Sequence, residues 1–111
     1  PAHGSEIVKI ILNDESLKNL WTKDLTTLRN RIISMRTSLN SNLKELGCSK
    51  DFSFIEDQKG MFSFSGMSKE EVIQLKKDFS IYIVESGRIN IAGITTKNIE
   101  YISNSINQVV K

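Results

Sequence analysis

The stretch from Glu15 to Gly47, ESLKNLWTKDLTTLRNRIISMRTSLNSNLKELG, decides the architecture of this chain. Its apolar residues Leu17, Trp21, Leu25, Leu28, Ile32, Met35, Leu39, Leu43 and Leu46 advance in eight steps over 29 residues, about 3.6 per step, the period of an α-helix. Asn13, Asp14 and Ser16 offer side-chain oxygens to the free N–H groups at its start, and Gly47 stands where a left-handed residue ends a helix. No proline or glycine interrupts the run. At about 1.5 Å per residue the helix is about 50 Å long, whereas a compact domain of this chain length is about 35 Å wide. It therefore outruns one compact body and needs a second to lie against. A coiled-coil strand would repeat nearer 3.5 residues, and the remaining sequence reads as a packed α+β unit.

Beyond a polar turn region at 48–59, Gly60-Met61-Phe62-Ser63-Phe64-Ser65-Gly66 alternates as a strand between glycines, with Phe62 and Phe64 on one face. Ser68-Lys69-Glu70-Glu71 is a capping-box pattern that opens a helix carrying Val72, Leu75 and Phe79. Ile81-Tyr82-Ile83-Val84 and Ile89-Asn90-Ile91-Ala92 read as two strands paired as a hairpin through Glu85-Ser86-Gly87-Arg88. Thr96 is the expected cap of a last helix with Ile99, Ile102, Ile106 and Val109 on one face. The expected fold is α+β: a long helix, then a small antiparallel or mixed sheet of about three strands packed with helices. The expected organisation is a turn, a short helix and the long helix over 1–46, and the rest of a small domain over 47–111.

Thirty-nine per cent apolar and 25% charged residues describe a soluble globular protein. Fifteen basic against thirteen acidic residues, spread along the chain, make nucleic acid a poor partner. Cys48 is the only cysteine, so neither an internal disulfide nor a cysteine-based zinc site forms, and it reads as a structural loop thiol. No apolar run approaches the ~20 residues needed to cross a bilayer. His3, the only histidine, lies in a Pro-Ala-His-Gly turn with no partner at useful spacing for metal or triad chemistry.

Arg88 is the residue with chemistry to offer. A guanidinium presents five donors in a rigid fork that matches a carboxylate with two bonds at once, and it stays charged at working pH. Strand alternation sends Ile89 and Ile91 to one face and Arg88, Asn90 and Ala92 to the other, so the arginine faces away from the apolar layer. On spacing alone it is an ordinary solvated arginine.

Four ordered segments change that reading: Pro1-Ala2-His3-Gly4, Arg31-Ile32-Ile33-Ser34-Met35-Arg36, Asp57-Gln58-Lys59-Gly60-Met61-Phe62-Ser63-Phe64-Ser65-Gly66, and Ser86-Gly87-Arg88-Ile89-Asn90-Ile91-Ala92-Gly93. Together they resemble the C-terminal quarter of the aspartate aminotransferases, dimeric pyridoxal-phosphate enzymes of fold type I. The resemblance implies that the long helix joins a cofactor domain to a small domain that closes on substrate and excludes water. It implies that Arg88 holds the substrate α-carboxylate and that Phe62 packs near the substrate. It also implies a homodimeric, cytoplasmic parent, with a mitochondrial one as the alternative, that exchanges an amino group between aspartate and 2-oxoglutarate.

In that family the Schiff-base lysine, the aspartate that pairs with the pyridine nitrogen, the phosphate-binding groups and the arginine for the second carboxylate precede the segment matched by Pro1. This chain is thus expected to be a fragment that holds neither a catalytic residue nor the cofactor, and to be inactive alone, because the cofactor is the electron sink for the reaction. Lys59 reads as a solvated strand-edge lysine without the apolar pocket a Schiff-base former needs. Asn90 is left undecided between orienting Arg88 and filling the strand. Two other functions stay open: a non-catalytic module docking on full-length subunits through its apolar helix face, and the tail of an aromatic amino acid aminotransferase.

Overall fold

Gly47 ends the long helix as its position predicts: it adopts φ +68°, and the N–H of Cys48 returns to the carbonyl of Leu43 at 3.0 Å. The structure is a computed structural model that describes residues 2–110, so Pro1 of the first matched segment lies outside the described residues. Helix α1 (His3–Asn13) precedes α2 (Glu15–Glu45), so His3 opens a helix and does not lie in a turn. Asp14, between the two, supplies the cap that the sequence offers, its Oδ1 accepting from the N–H of Leu17 at 2.9 Å.

The chain divides into two compact units inside α2, one ending at Arg31 and the other beginning at Ile32. The first unit is helical and has no buried residue in α1. Ile7, Val8, Ile10 and Leu12 of α1, and Leu17, Leu20, Trp21, Leu25 and Leu28 of α2, are all exposed. In the second unit the same helical stripe is covered: Met35, Leu39 and Leu43 are buried.

Those three residues begin the core of the second unit. Phe52 and Ile55 add to it around a four-residue helix, α3 (Phe54–Asp57), inside the region expected to be only polar turn. Helix α4 (Lys69–Phe79) contributes Val72 and Leu75 and opens with the expected capping box. There Ser68 Oγ accepts from the N–H of Glu71 at 3.2 Å, and the N–H of Ser68 donates to Glu71 Oε2 at 2.6 Å. Helix α5 (Ile99–Val109) buries Ile99, Ile106 and Val109, with Ile102 half-buried. Thr96 is not its cap; Asn98 holds that position and turns its side chain back, accepting from Thr95 N–H at 2.7 Å and donating to Gly93 C=O at 3.1 Å. Each large apolar side chain buried in this way contributes roughly 1.5–3 kcal/mol.

The sheet departs from expectation. Among the described residues it has two strands, β1 (Phe62–Phe64) and β2 (Arg88–Asn90), antiparallel with Ser63 opposite Ile89. The segment 81–84 forms no regular secondary structure and pairs with neither strand. The hairpin fails at its turn. Gly87 closes the turn by donating to Val84 C=O at 2.8 Å, then adopts φ +78° and gives its own carbonyl to Ser65, from which it accepts both the N–H at 2.9 Å and the Oγ–H at 2.7 Å. That pair of hydrogen bonds turns the chain onto β1, and Ile91 N–H continues the pairing to Met61 C=O at 2.9 Å. Strand β2 stops at Asn90 because its side chain caps a 3-10 turn, Ile91–Gly93, by accepting from Ala92 N–H at 3.0 Å.

Candidate functional site

The alternation of two short strands builds the site. Ser63 and Ile89 point inward and are buried, whereas Phe62, Phe64, Arg88 and Asn90 are exposed on the opposite face. Register sets Arg88 across from Phe64 and Asn90 across from Phe62, so Arg88 and Phe62 are diagonal neighbours, a spacing that long and aromatic side chains bridge. The guanidinium carbon of Arg88 lies 5.1 Å from the centre of the Phe62 ring, a cation–π contact.

Beside this pair opens a cavity of about 250 Å³ lined by Phe62, Tyr82, Ile83, Val84, Arg88 and Asn90. The segment expected to be a strand is therefore one wall of the cavity. Its edge is held by an ion pair between Lys69 Nζ and Glu85 Oε2 at 2.9 Å, which keeps the Glu85 carboxyl below the usual carboxylate range and raises the Lys69 ammonium. Arg88 makes no ion pair or side-chain hydrogen bond among the described residues, so its fork is free to take an anion. Phe62 and Arg88, the two site residues expected from sequence, thus meet. Asn90 lines the same cavity but spends its side-chain oxygen on the 3-10 turn.

One residue under the site, quoted in the sequence reading only as the end of a matched segment, was given no role there. Arg36 of α2 is 3% exposed. Its Nε donates to Ser63 Oγ at 3.1 Å, and its Nη2 donates to the carbonyls of Gly60 at 2.6 Å and Phe62 at 3.3 Å. Burial lowers its pKa through desolvation. It falls one residue after Met35 on the covered face of α2, and that position, with its place in the matched segment Arg31 to Arg36, was the signal that could have found it.

The lysines present do not fit an anchor for a Schiff-base cofactor. None of the described lysines is buried, none lines the Arg88 cavity, and Lys59 is exposed. Among the described residues no group of histidine, cysteine and acidic side chains could hold a metal ion, and no helix is long and apolar enough to cross a membrane.

Fold and surface together describe a helix-rich α+β small domain with an unpaired arginine over an aromatic ring. The chain belongs to the class I and II aminotransferases, whose family model matches residues 1–106. It is 50% identical over 109 residues to an aspartate aminotransferase of Haemophilus influenzae, covering 98% of this chain and 28% of that protein. A solved aromatic-amino-acid aminotransferase from Burkholderia pseudomallei, covalently bound to pyridoxal phosphate, matches all of this chain with a TM-score of 0.97 at 41% identity, over 28% of its own length. The aspartate aminotransferase of Saccharomyces cerevisiae cytoplasm matches 99% of the chain with a TM-score of 0.95 at 39% identity, over 27% of its length. The chain thus spans little more than a quarter of the relatives it matches.

Proposed function

We propose that these residues are the C-terminal small-domain part of an aspartate aminotransferase, in which Arg88 binds the substrate α-carboxylate and Phe62 packs against the substrate. The observation that carries this reading is the free guanidinium of Arg88, held over Phe62 in the lining of a cavity. A planar fork there accepts a carboxylate with two charge-assisted bonds. The apolar walls from Ile83 and Val84 lower the local dielectric once water is displaced, which strengthens those bonds.

Pyridoxal phosphate supplies the electron sink of the parent's transamination. We propose that its anchoring lysine, its phosphate site and the arginine for the second carboxylate belong to the rest of the parent, and that this chain alone does not transaminate. The exposed apolar residues of the first unit fit burial against that remainder. The parent is proposed to be a cytoplasmic homodimer, taking aspartate and 2-oxoglutarate as substrates. The Burkholderia pseudomallei match supports a second reading, an aromatic amino acid aminotransferase, which leaves the role of Arg88 unchanged because both substrate classes carry the α-carboxylate.

Arg88→Lys in the complete polypeptide tests the assignment. It keeps the charge and loses the fork, so transition-state binding is expected to weaken by about 2–5 kcal/mol for every amino acid substrate alike. A loss confined to dicarboxylic substrates would assign Arg88 to the other carboxylate.

A further inference from the structure

We propose that Arg36 is a positioning residue for the carboxylate site, acting through β1; the inference rests on the reading of Arg88 given above. Arg36 makes no ion pair among the described residues although it is almost wholly buried. A buried guanidinium without a counter-charge carries a desolvation cost that an apolar residue of similar volume would not, so filling space does not account for it. What it does hold is the backbone around one side chain. Its three acceptors are the carbonyl of Gly60, the carbonyl of Phe62 and the hydroxyl of Ser63, so they bracket Phe62 in sequence.

Because successive side chains on a strand take opposite faces, gripping the inner face at Ser63 sets how Phe62 projects from the outer one. The ring of Phe62 is the surface on which the Arg88 guanidinium rests. The other end of the pairing is fixed separately, since the N–H and Oγ–H of Ser65 both donate to the carbonyl of Gly87, the residue before Arg88. Arg36 thereby sets the ring, and Ser65 sets the arginine that packs on it. The planar fork matters here: Nε and Nη2 donate to acceptors on different residues, a geometry that a lysine ammonium on a flexible stem does not hold.

The test uses the complete, pyridoxal-phosphate-loaded polypeptide and calorimetric titration with succinate, an unreactive dicarboxylate. Arg36→Lys is expected to weaken succinate binding about tenfold and to raise KM similarly, with kcat changed about threefold or less. In an Arg88→Lys background, Arg36→Lys should weaken binding no further, because the group it positions is already lost. Equal weakening in both backgrounds, or unchanged affinity in a folded Arg36→Lys protein, would overturn the inference. If Arg88→Lys by itself leaves succinate binding unchanged, the reading of Arg88 fails, a result distinct from a silent Arg36 beside a sensitive Arg88. Should Arg36→Lys not fold, Ser63→Ala removes one acceptor and carries the test. It is expected to weaken binding about threefold in the parental background and not in the Arg88→Lys one, and unchanged affinity would refute the proposal.

Discussion

Gly87→Ala should loosen the site where β2 begins, and Gly60→Ala serves as its control. Both glycines have positive φ, +78° and +87°, so an alanine at either carries the left-handed backbone cost of roughly 1–2 kcal/mol. Their surroundings differ. A Cβ at Gly60 meets nothing within 4 Å, whereas one at Gly87 comes to 3.1 Å from both the Met67 carbonyl oxygen and Ser65 Oγ. The first of these is backbone, and the second is held by its bonds to Gly87 C=O and Met67 N–H, so neither yields easily. Overpacking of this kind adds roughly 1–3 kcal/mol, which brings Gly87→Ala to about 2–5 kcal/mol. Native-state hydrogen exchange at the Ser65 amide, which donates to Gly87 C=O, reads the local opening directly. At about 1.4 kcal/mol per tenfold, its exchange should accelerate about 30-fold or more in Gly87→Ala and by about 30-fold at most in Gly60→Ala. If the two substitutions accelerate the Ser65 amide equally, close approach at Gly87 is not what orders this turn.

Four further outcomes are expected. Ser65→Ala removes a fully buried hydroxyl that bonds Gly87 C=O, and should destabilise the second unit by about 1–3 kcal/mol in chemical unfolding while weakening carboxylate binding. Phe62→Leu removes the ring under Arg88, and calorimetric titration with succinate should register a loss of about 0.5–1 kcal/mol. Leu39→Ala opens a void where a wholly buried side chain of α2 stood, and should cost about 2–5 kcal/mol in urea unfolding. The Lys69–Glu85 pair carries a pH signature. The lowered Glu85 pKa contributes stability above the unfolded carboxyl pKa, lost as pH falls through the folded value, and the raised Lys69 pKa contributes below the unfolded amine pKa, lost as pH rises through the folded value. The difference in urea midpoint between the parental protein and Glu85→Gln should therefore be largest near neutrality and shrink toward both extremes; a difference that grew in acid would contradict the pairing.

Several local features governed by short-range rules were legible, although the cap of α5 and the short helix α3 were not. The period of Leu17 to Leu46 marks α2, Gly47 ends it with a positive φ, and Ser68 with Glu71 forms the capping box of α4, because each depends on residues within one helical turn. Alternation around Ile89 correctly turns Arg88 outward, since a strand reverses its face at every residue. The resemblance carried by Gly60 to Gly66 and Ser86 to Gly93 led to the right family. Strand pairing was less legible: the segment 81–84 has the composition of a strand, and sequence proximity favours a hairpin with the residues just after Gly87. The loss of that hairpin depends on Ser65, whose two bonds to Gly87 C=O span 22 residues of chain.

By itself, then, the sequence determined α2 and α4 with their ends, the presence of α5, the outward face of Arg88 and the family, but not α3, the cap of α5 or the helical start at His3. Tertiary structure decided which strand β2 joins, and with it the diagonal contact that sets Arg88 on Phe62. It also decided that Arg36, a helix arginine that composition would assign to solvent, is buried against the carbonyls of β1. The physical reason is range. Periodicity and capping are settled by hydrogen bonds and burial a few residues apart, whereas register and the burial of a charge are settled only when distant segments supply the acceptors.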